Sequence, residues 1–154
     1  MAISTYLSEG LVLFLNVKNQ EGALKALVQQ LAGVEKIPNA EEFYKAILQR
    51  EKVVSTGIGL GIAIPHAKIA NYSEFFIAIG IQSGKGIDWN AMDQAPVQLI
   101  FMIGGPDNRQ EEYLQILSRL TSLLKEESFR RNLLRASSAK EVIKLFEGCE
   151  SYGS

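Results

Sequence analysis

A chain of 154 residues suits one domain that buries roughly 70% of its unfolded surface in a single core. Hydrophobic residues make up 47% and charged residues 21%, the balance of a globular protein and not of a disordered or repeat-based one. With 16 Lys plus Arg against 17 Asp plus Glu, the net charge of -1 gives no electrostatic pull toward nucleic acid or an anionic membrane.

The N-terminus, Met1 to Thr5, lacks the basic start and apolar stretch of a signal peptide, so a cytosolic location is the expectation. Leu11 to Leu15, with Val12 and Phe14, is a short apolar run that predicts a buried strand. From Gln20 to Leu31 the positions Ala23, Leu24, Leu27, Val28 and Leu31 recur at helical spacing, with Gly33 as the stop. A second helix opens at Asn39, an N-cap with Glu42 three residues on, and carries Phe43, Tyr44, Ile47 and Leu48 to about Arg50. Val53 to His66 follows, with three glycines alternating with apolar residues before a strand-like end. Phe75 to Ile81 and Val97 to Ile103 read as central strands; neither approaches the roughly 20 residues of a membrane-spanning helix. Beyond Asp107 the pattern is helical: first a stripe of Tyr113, Ile116, Leu117, Leu120, Leu123 and Leu124, then about Ser128 to Leu134 and Ser138 to Phe146. Ser138 with Glu141 has the form of a capping box. Cys149, the lone cysteine, reads as a spare thiol near a frayed terminus, with an ordered core over about 3 to 148. Interleaved strands and helices predict an α/β layer fold in one domain spanning 1 to 154.

His66 is the sole histidine, and its surroundings single it out. At neutral pH imidazole is largely an uncharged nucleophile that can accept a phosphoryl group and later release it. Pro65 fixes the backbone before it and pushes Ile64 toward an extended conformation, so the ring stands at a strand end on a stiff lead. Phosphoryl transfer asks for in-line positioning and for donors to the equatorial oxygens. Backbone N–H groups at Gly57, Gly59 and Gly61, the hydroxyls of Ser55 and Thr56, and the forked guanidinium of Arg50 together make a candidate phosphate cradle. Each also has a structural reading: glycines in a bulged or tightly packed strand, hydroxyls as turn or capping groups, and arginine as a helix C-terminal charge. The glycines match neither the dinucleotide fingerprint nor the nucleotide-binding loop. One Cys and one His far apart give no metal-ligand cluster; no cofactor is expected.

The run Arg50-Glu51, Ser55-Thr56-Gly57-Ile58-Gly59, Gly61-Ile62-Ala63-Ile64-Pro65-His66-Ala67 resembles the active-site signature of the fructose/mannitol-type enzyme IIA domains of the bacterial phosphoenolpyruvate-dependent phosphotransferase system, a family that includes a nitrogen-regulatory branch. The likeness extends over nearly the whole chain. It implies a mixed β-sheet covered by helices on both faces. It further implies phosphorylation of His66 by an HPr-type phosphocarrier, with Arg50 holding the phosphoryl group and an enzyme IIB domain or a regulatory target as the next partner. Many members carry a second histidine at the start of the long helix, and Tyr113 falls at that position here; the alternative is that Tyr113 belongs to the apolar stripe. A sugar carrier, a regulatory switch and a degenerate binding domain that is never phosphorylated all remain open at this point.

Overall fold

The computed structural model describes residues 1–152. Two 3-10 turns, Ile3–Tyr6 and Glu9–Leu11, lead into β1 (Val12–Phe14), α1 (Gln20–Gly33) and α2 (Ala40–Val53). Three short strands follow, β2 (Gly57–Gly59), β3 (Ile62–Ala63) and β4 (His66–Lys68), and then the long pair β5 (Phe76–Ile81) and β6 (Leu99–Gly105). The chain closes with α3 (Gln110–Leu124), α4 (Glu127–Arg135) and α5 (Ala139–Tyr152).

Strand β5 pairs antiparallel along its whole length with Leu99–Gly104 of β6 at the centre of a six-stranded mixed sheet. Every residue of both is buried, as continuous apolar runs without polar alternation require. Side-chain direction alternates along each strand, and the two faces have separate cores. Ile77, Ile79, Leu99, Phe101 and Ile103 meet α3, α4 and α5 through Ile116, Leu120, Phe129 and Phe146. Phe76, Ala78, Ile100 and Met102 meet α1 and α2 through Leu24, Leu27, Phe43 and Ile47. Helices therefore cover both faces, as the motif likeness implied. Among the described residues no helix is long and apolar enough to cross a membrane.

The other side of β6 builds the site. Both β3 and β4 run parallel to it, Ile62 against Leu99 and His66 against Ile103, in one unbroken register. They are one strand interrupted at Ile64-Pro65, because proline has no N–H for the ladder. The connection still holds, since the Pro65 carbonyl accepts from the Ile103 N–H at 2.9 Å.

Several boundaries differ from the sequence expectation. Helix α1 ends in a Schellman arrangement: Lys36 N–H donates to the Leu31 carbonyl, Glu35 N–H donates to that of Ala32, and Glu35, not Gly33, is left-handed at φ 59°. Helix α2 continues past Arg50 to Val53. At α5 the Glu141 N–H donates to the Ser138 hydroxyl, but the Glu141 carboxylate turns to Ser137, which donates both its N–H and its hydroxyl. Cys149 is half-buried against the core in a helix described to Tyr152.

Gly104 lies opposite Ala67 of β4 on one side and Phe76 of β5 on the other. A Cβ there would stand 2.3 Å from Phe76 Cζ and 2.7 Å from Phe43 Cε1, atoms of buried rings that have nowhere to go. Gly104→Ala should cost about 1–3 kcal/mol, the usual range for overpacking, read as a lower urea midpoint at unchanged slope.

Candidate functional site

His66 is half-buried at the start of β4, and two contacts fix its ring. Nδ1 lies 3.1 Å from the Ile64 carbonyl, and a carbonyl only accepts, so Nδ1 carries the proton. Nε2 lies 3.1 Å from Nε of Arg50, and a guanidinium only donates, so Nε2 presents its lone pair. One neutral tautomer satisfies both. Burial pushes the imidazole pKa below its ordinary 6.5; the Ile64 carbonyl opposes this, and the charges of Arg50 and Lys68 add to the lowering.

Arg50 sits in the last turn of α2, where a cation meets unpaired carbonyls. Its Nη1 donates to the Val54 carbonyl at 2.9 Å while its Nε caps His66. The segment that supplies Val54 is in turn stapled by Glu51, whose carboxylate accepts from the Thr56 N–H at 2.7 Å and from the Thr56 hydroxyl at 2.6 Å. The same hydroxyl accepts from Trp89 Nε1 at 3.1 Å. Thr56 is 4% exposed, and hydrogen bonds to a charged partner in such a place contribute about 1.5–3 kcal/mol. Ser55 donates its hydroxyl to the Trp89 carbonyl at 2.7 Å and accepts from the Gly57 N–H. Ser55 and Thr56 thus have their hydroxyls committed inside the protein.

The glycines stand apart from His66. Gly59 lies opposite Ile62, and Ile62 and His66 lie against Leu99 and Ile103, which are separated by roughly 13 Å along an extended strand. Gly61 is beyond Ile62 again, and Gly57 pairs with Ala63, three residues short of His66. The register places Gly59 and Gly61 at the far end of β3 from His66. Their physical reason is the hairpin: Leu60 and Gly61 both have positive φ, at 60° and 76°, as a two-residue type I′ turn demands. Gly57 is small because a Cβ there would come within 2.8 Å of the Ala91 Cβ.

Tyr113 of α3 is 4% exposed, and its ring centroid lies 5.3 Å from that of His66. It also belongs to the core with Ile116, Leu120 and Leu124, so the residue lies in the apolar stripe and beside His66 at once. Burial raises the phenol pKa, with the Arg50 charge opposing; near neutral pH the group stays protonated. Three residues drew no role from the sequence alone: Glu51, Trp89 and Lys68. Lys68 had the clearest signal, since two residues on in a strand means the same face as His66.

The arrangement offers one nucleophilic ring nitrogen, a guanidinium laid on it and a framework that holds both. Residues 5–149 match the family described as phosphoenolpyruvate-dependent sugar phosphotransferase system, EIIA 2. The chain belongs to that family. A fructose-specific EIIA component of Haloferax volcanii is 39% identical over 123 residues, 80% of this chain and 79% of that protein. A fructose-specific EIIABC component of Bacillus subtilis is 40% identical over 126 residues, 82% of this chain but 20% of that protein, so the chain spans a fifth of that relative's length. The crystal structure of the nitrogen regulatory protein IIA-Ntr from Neisseria meningitidis superposes with a TM-score of 0.86 at 28% identity, covering 94% of this chain and 98% of that one.

The ring geometry of this EIIA domain is open to direct measurement, since its one histidine gives one set of imidazole signals in NMR. Those signals should show the Nδ1–H tautomer and titrate with a midpoint below 6.5. Removing the guanidinium in Arg50→Ala should raise the midpoint. Because the unfolded chain then binds more protons than the folded one between that midpoint and about 6.5, this residue's contribution to stability is full above 6.5 and is lost as pH falls through the folded midpoint.

Proposed function

We propose that this EIIA domain is a phosphohistidine carrier: Nε2 of His66 accepts a phosphoryl group from an HPr-type phosphocarrier and passes it to an enzyme IIB-type domain, or holds it as a regulatory switch. The observation that carries this reading is the single-tautomer ring, with its proton on Nδ1 tied to the Ile64 carbonyl and its lone pair on Nε2 facing a guanidinium. In the transfer, the Nε2 lone pair forms the new P–N bond while the P–N bond of the donor phosphohistidine breaks, its electron pair returning to the donor ring. No proton needs to move. The Nδ1 proton stays on His66, and the positive charge that the ring gains lies against the carbonyl oxygen of Ile64.

Arg50 occupies the approach line in the resting state, so it must slide off Nε2 as the phosphoryl group arrives. Its Nη1 anchor on Val54 limits that motion to a swing that brings the guanidinium against the equatorial oxygens. Ser55 and Thr56 contribute by holding this segment. The similarity of the chain to both a fructose-specific component and a nitrogen regulatory protein supports the shared carrier chemistry and leaves sugar transport and regulation as its two uses.

Mixed with phosphoenolpyruvate, enzyme I and an HPr-type carrier, the protein should gain one acid-labile, alkali-stable phosphoryl group by intact mass spectrometry. His66→Ala should gain none, and a phosphorylated His66→Ala protein would sink the assignment. Arg50→Ala should be phosphorylated about 10- to 1000-fold more slowly, the range for one preorganised transition-state donor; an unchanged rate would remove Arg50 from the step.

A carrier also needs a face on which protein partners dock. Val53 and Val54 beside Arg50 are 79% and 58% exposed, and Met92, whose N–H approaches the Gly57 carbonyl, is 85% exposed. We take these three to belong to the docking face, whose footprint is typically about 800 Å² per partner. Val53→Ser combined with Met92→Ser should raise the KM for the donor about 5-fold, roughly 1 kcal/mol of lost apolar contact, with kcat and thermal midpoint unchanged. Equal KM values would place the docking face elsewhere.

A further inference from the structure

Lys68 lies two residues beyond His66 on β4, so both side chains emerge on the face covered by α3. Its ammonium is held at two points. Nζ sits 4.5 Å from the centroid of the Tyr113 ring, a cation–π contact, and donates to Oε1 of Gln110 at the start of α3. The same Tyr113 ring packs against His66 at 5.3 Å. His66, Tyr113 and Lys68 therefore form one contiguous group, the two rings tilted by 42° to each other, distinct from the Arg50 contact made from α2.

A phosphorylated His66 poses a charge problem that Arg50 answers only in part. The incoming group brings about two negative charges to a half-buried ring. Arg50 supplies one positive charge, and it must leave its resting hydrogen bond to do so. Lys68 carries a second cation that lies off the Nε2 lone pair, already ordered by Gln110 and Tyr113 before any phosphoryl group arrives. Its charge also reaches the imidazole, since it contributes to lowering the pKa of His66, after burial and Arg50.

We propose that Lys68 is a positioning residue of the site: an ammonium fixed on the face of Tyr113 that stabilises phosphorylated His66 by its field and holds the Tyr113 ring against the imidazole. This rests on the carrier reading above. Tyr113 is in this view the platform that sets the distance between cation and phosphoryl group, a task for a neutral aromatic ring and not for an acid or base.

The test compares the wild type, Lys68→Met and Lys68→Arg. The first measurement is the equilibrium constant for phosphoryl exchange with an HPr-type carrier, read by intact mass spectrometry at low salt and at about 1 M salt. Lys68→Met should lower the constant about 3- to 10-fold at low salt, the scale for one unit charge acting at a high effective dielectric. Lys68→Arg should restore it to within about twofold. The gap between wild type and Lys68→Met should narrow at high salt, where the screening length falls to about 3 Å; loss of packing alone would leave it unchanged. An unaltered constant in folded Lys68→Met, or equal losses in the Met and Arg variants, overturns the proposal. The second measurement is the His66 titration by NMR, which needs no phosphorylation. The midpoint should rise in Lys68→Met and not in Lys68→Arg, and a midpoint that stays put in Lys68→Met also overturns the proposal. If the wild type takes no phosphoryl group, the carrier reading fails by itself, and the titration still decides whether the Lys68 charge acts on His66.

Discussion

The contact on which the rest of the site depends is the hydrogen bond from Nδ1 of His66 to the carbonyl of Ile64, two residues back along the same strand. It selects the tautomer, and the tautomer decides which nitrogen is free to react. Ile64 donates its N–H to the Thr56 carbonyl, on the side away from β6, while the Pro65 carbonyl accepts from Ile103 and keeps β3 and β4 in one register against β6. Strand β6, against which β3 and β4 pair, is buried along its entire length, so His66 is set on the centre of the sheet.

Arg50 is positioned by a different route, from the end of a helix. The last turn of α2 carries it, and the Val54 carbonyl orients its guanidinium. Glu51, one residue on, ties that turn to Thr56, which is tied in turn to Trp89. Histidine and arginine thus come from separate elements whose relative placement is set by a chain of hydrogen bonds through a buried hydroxyl. Such a network is stiff because each member is satisfied, and leaving one member unpartnered in the interior is costly.

Much of this was legible in the sequence, for reasons that differ from element to element. The two central strands and the helical stripes announce themselves through burial, which leaves uninterrupted apolar runs or 3.6-residue spacing. His66 and Arg50 stood out through residue chemistry joined to motif likeness. The glycines were ambiguous, since alternation along the chain shows that side chains are absent without showing why. A hairpin turn and the approach of Ala91 account for them structurally, and the register places Gly59 and Gly61 at the far end of β3 from His66. Glu51 and Trp89 were illegible for a related reason: their contact through Thr56 joins positions 51, 56 and 89, which no local pattern connects. The end of α1 at Gly33 was legible, but the left-handed residue that closes it is Glu35, which no glycine signal marks.

The guanidinium lying on Nε2 has a further consequence for selectivity. An imidazole with an open lone pair is a good ligand for dissolved metal ions and a ready target for small electrophiles. With that pair already accepting from Arg50, an intruder must first displace a cation anchored at Val54, and a metal ion must do so against like charge. On the proposed carrier reading, a docked partner carrying concentrated negative charge would draw the guanidinium aside. The resting hydrogen bond would then act as a chemical filter, closed to ions and small reagents and open to a polyanionic group presented at close range.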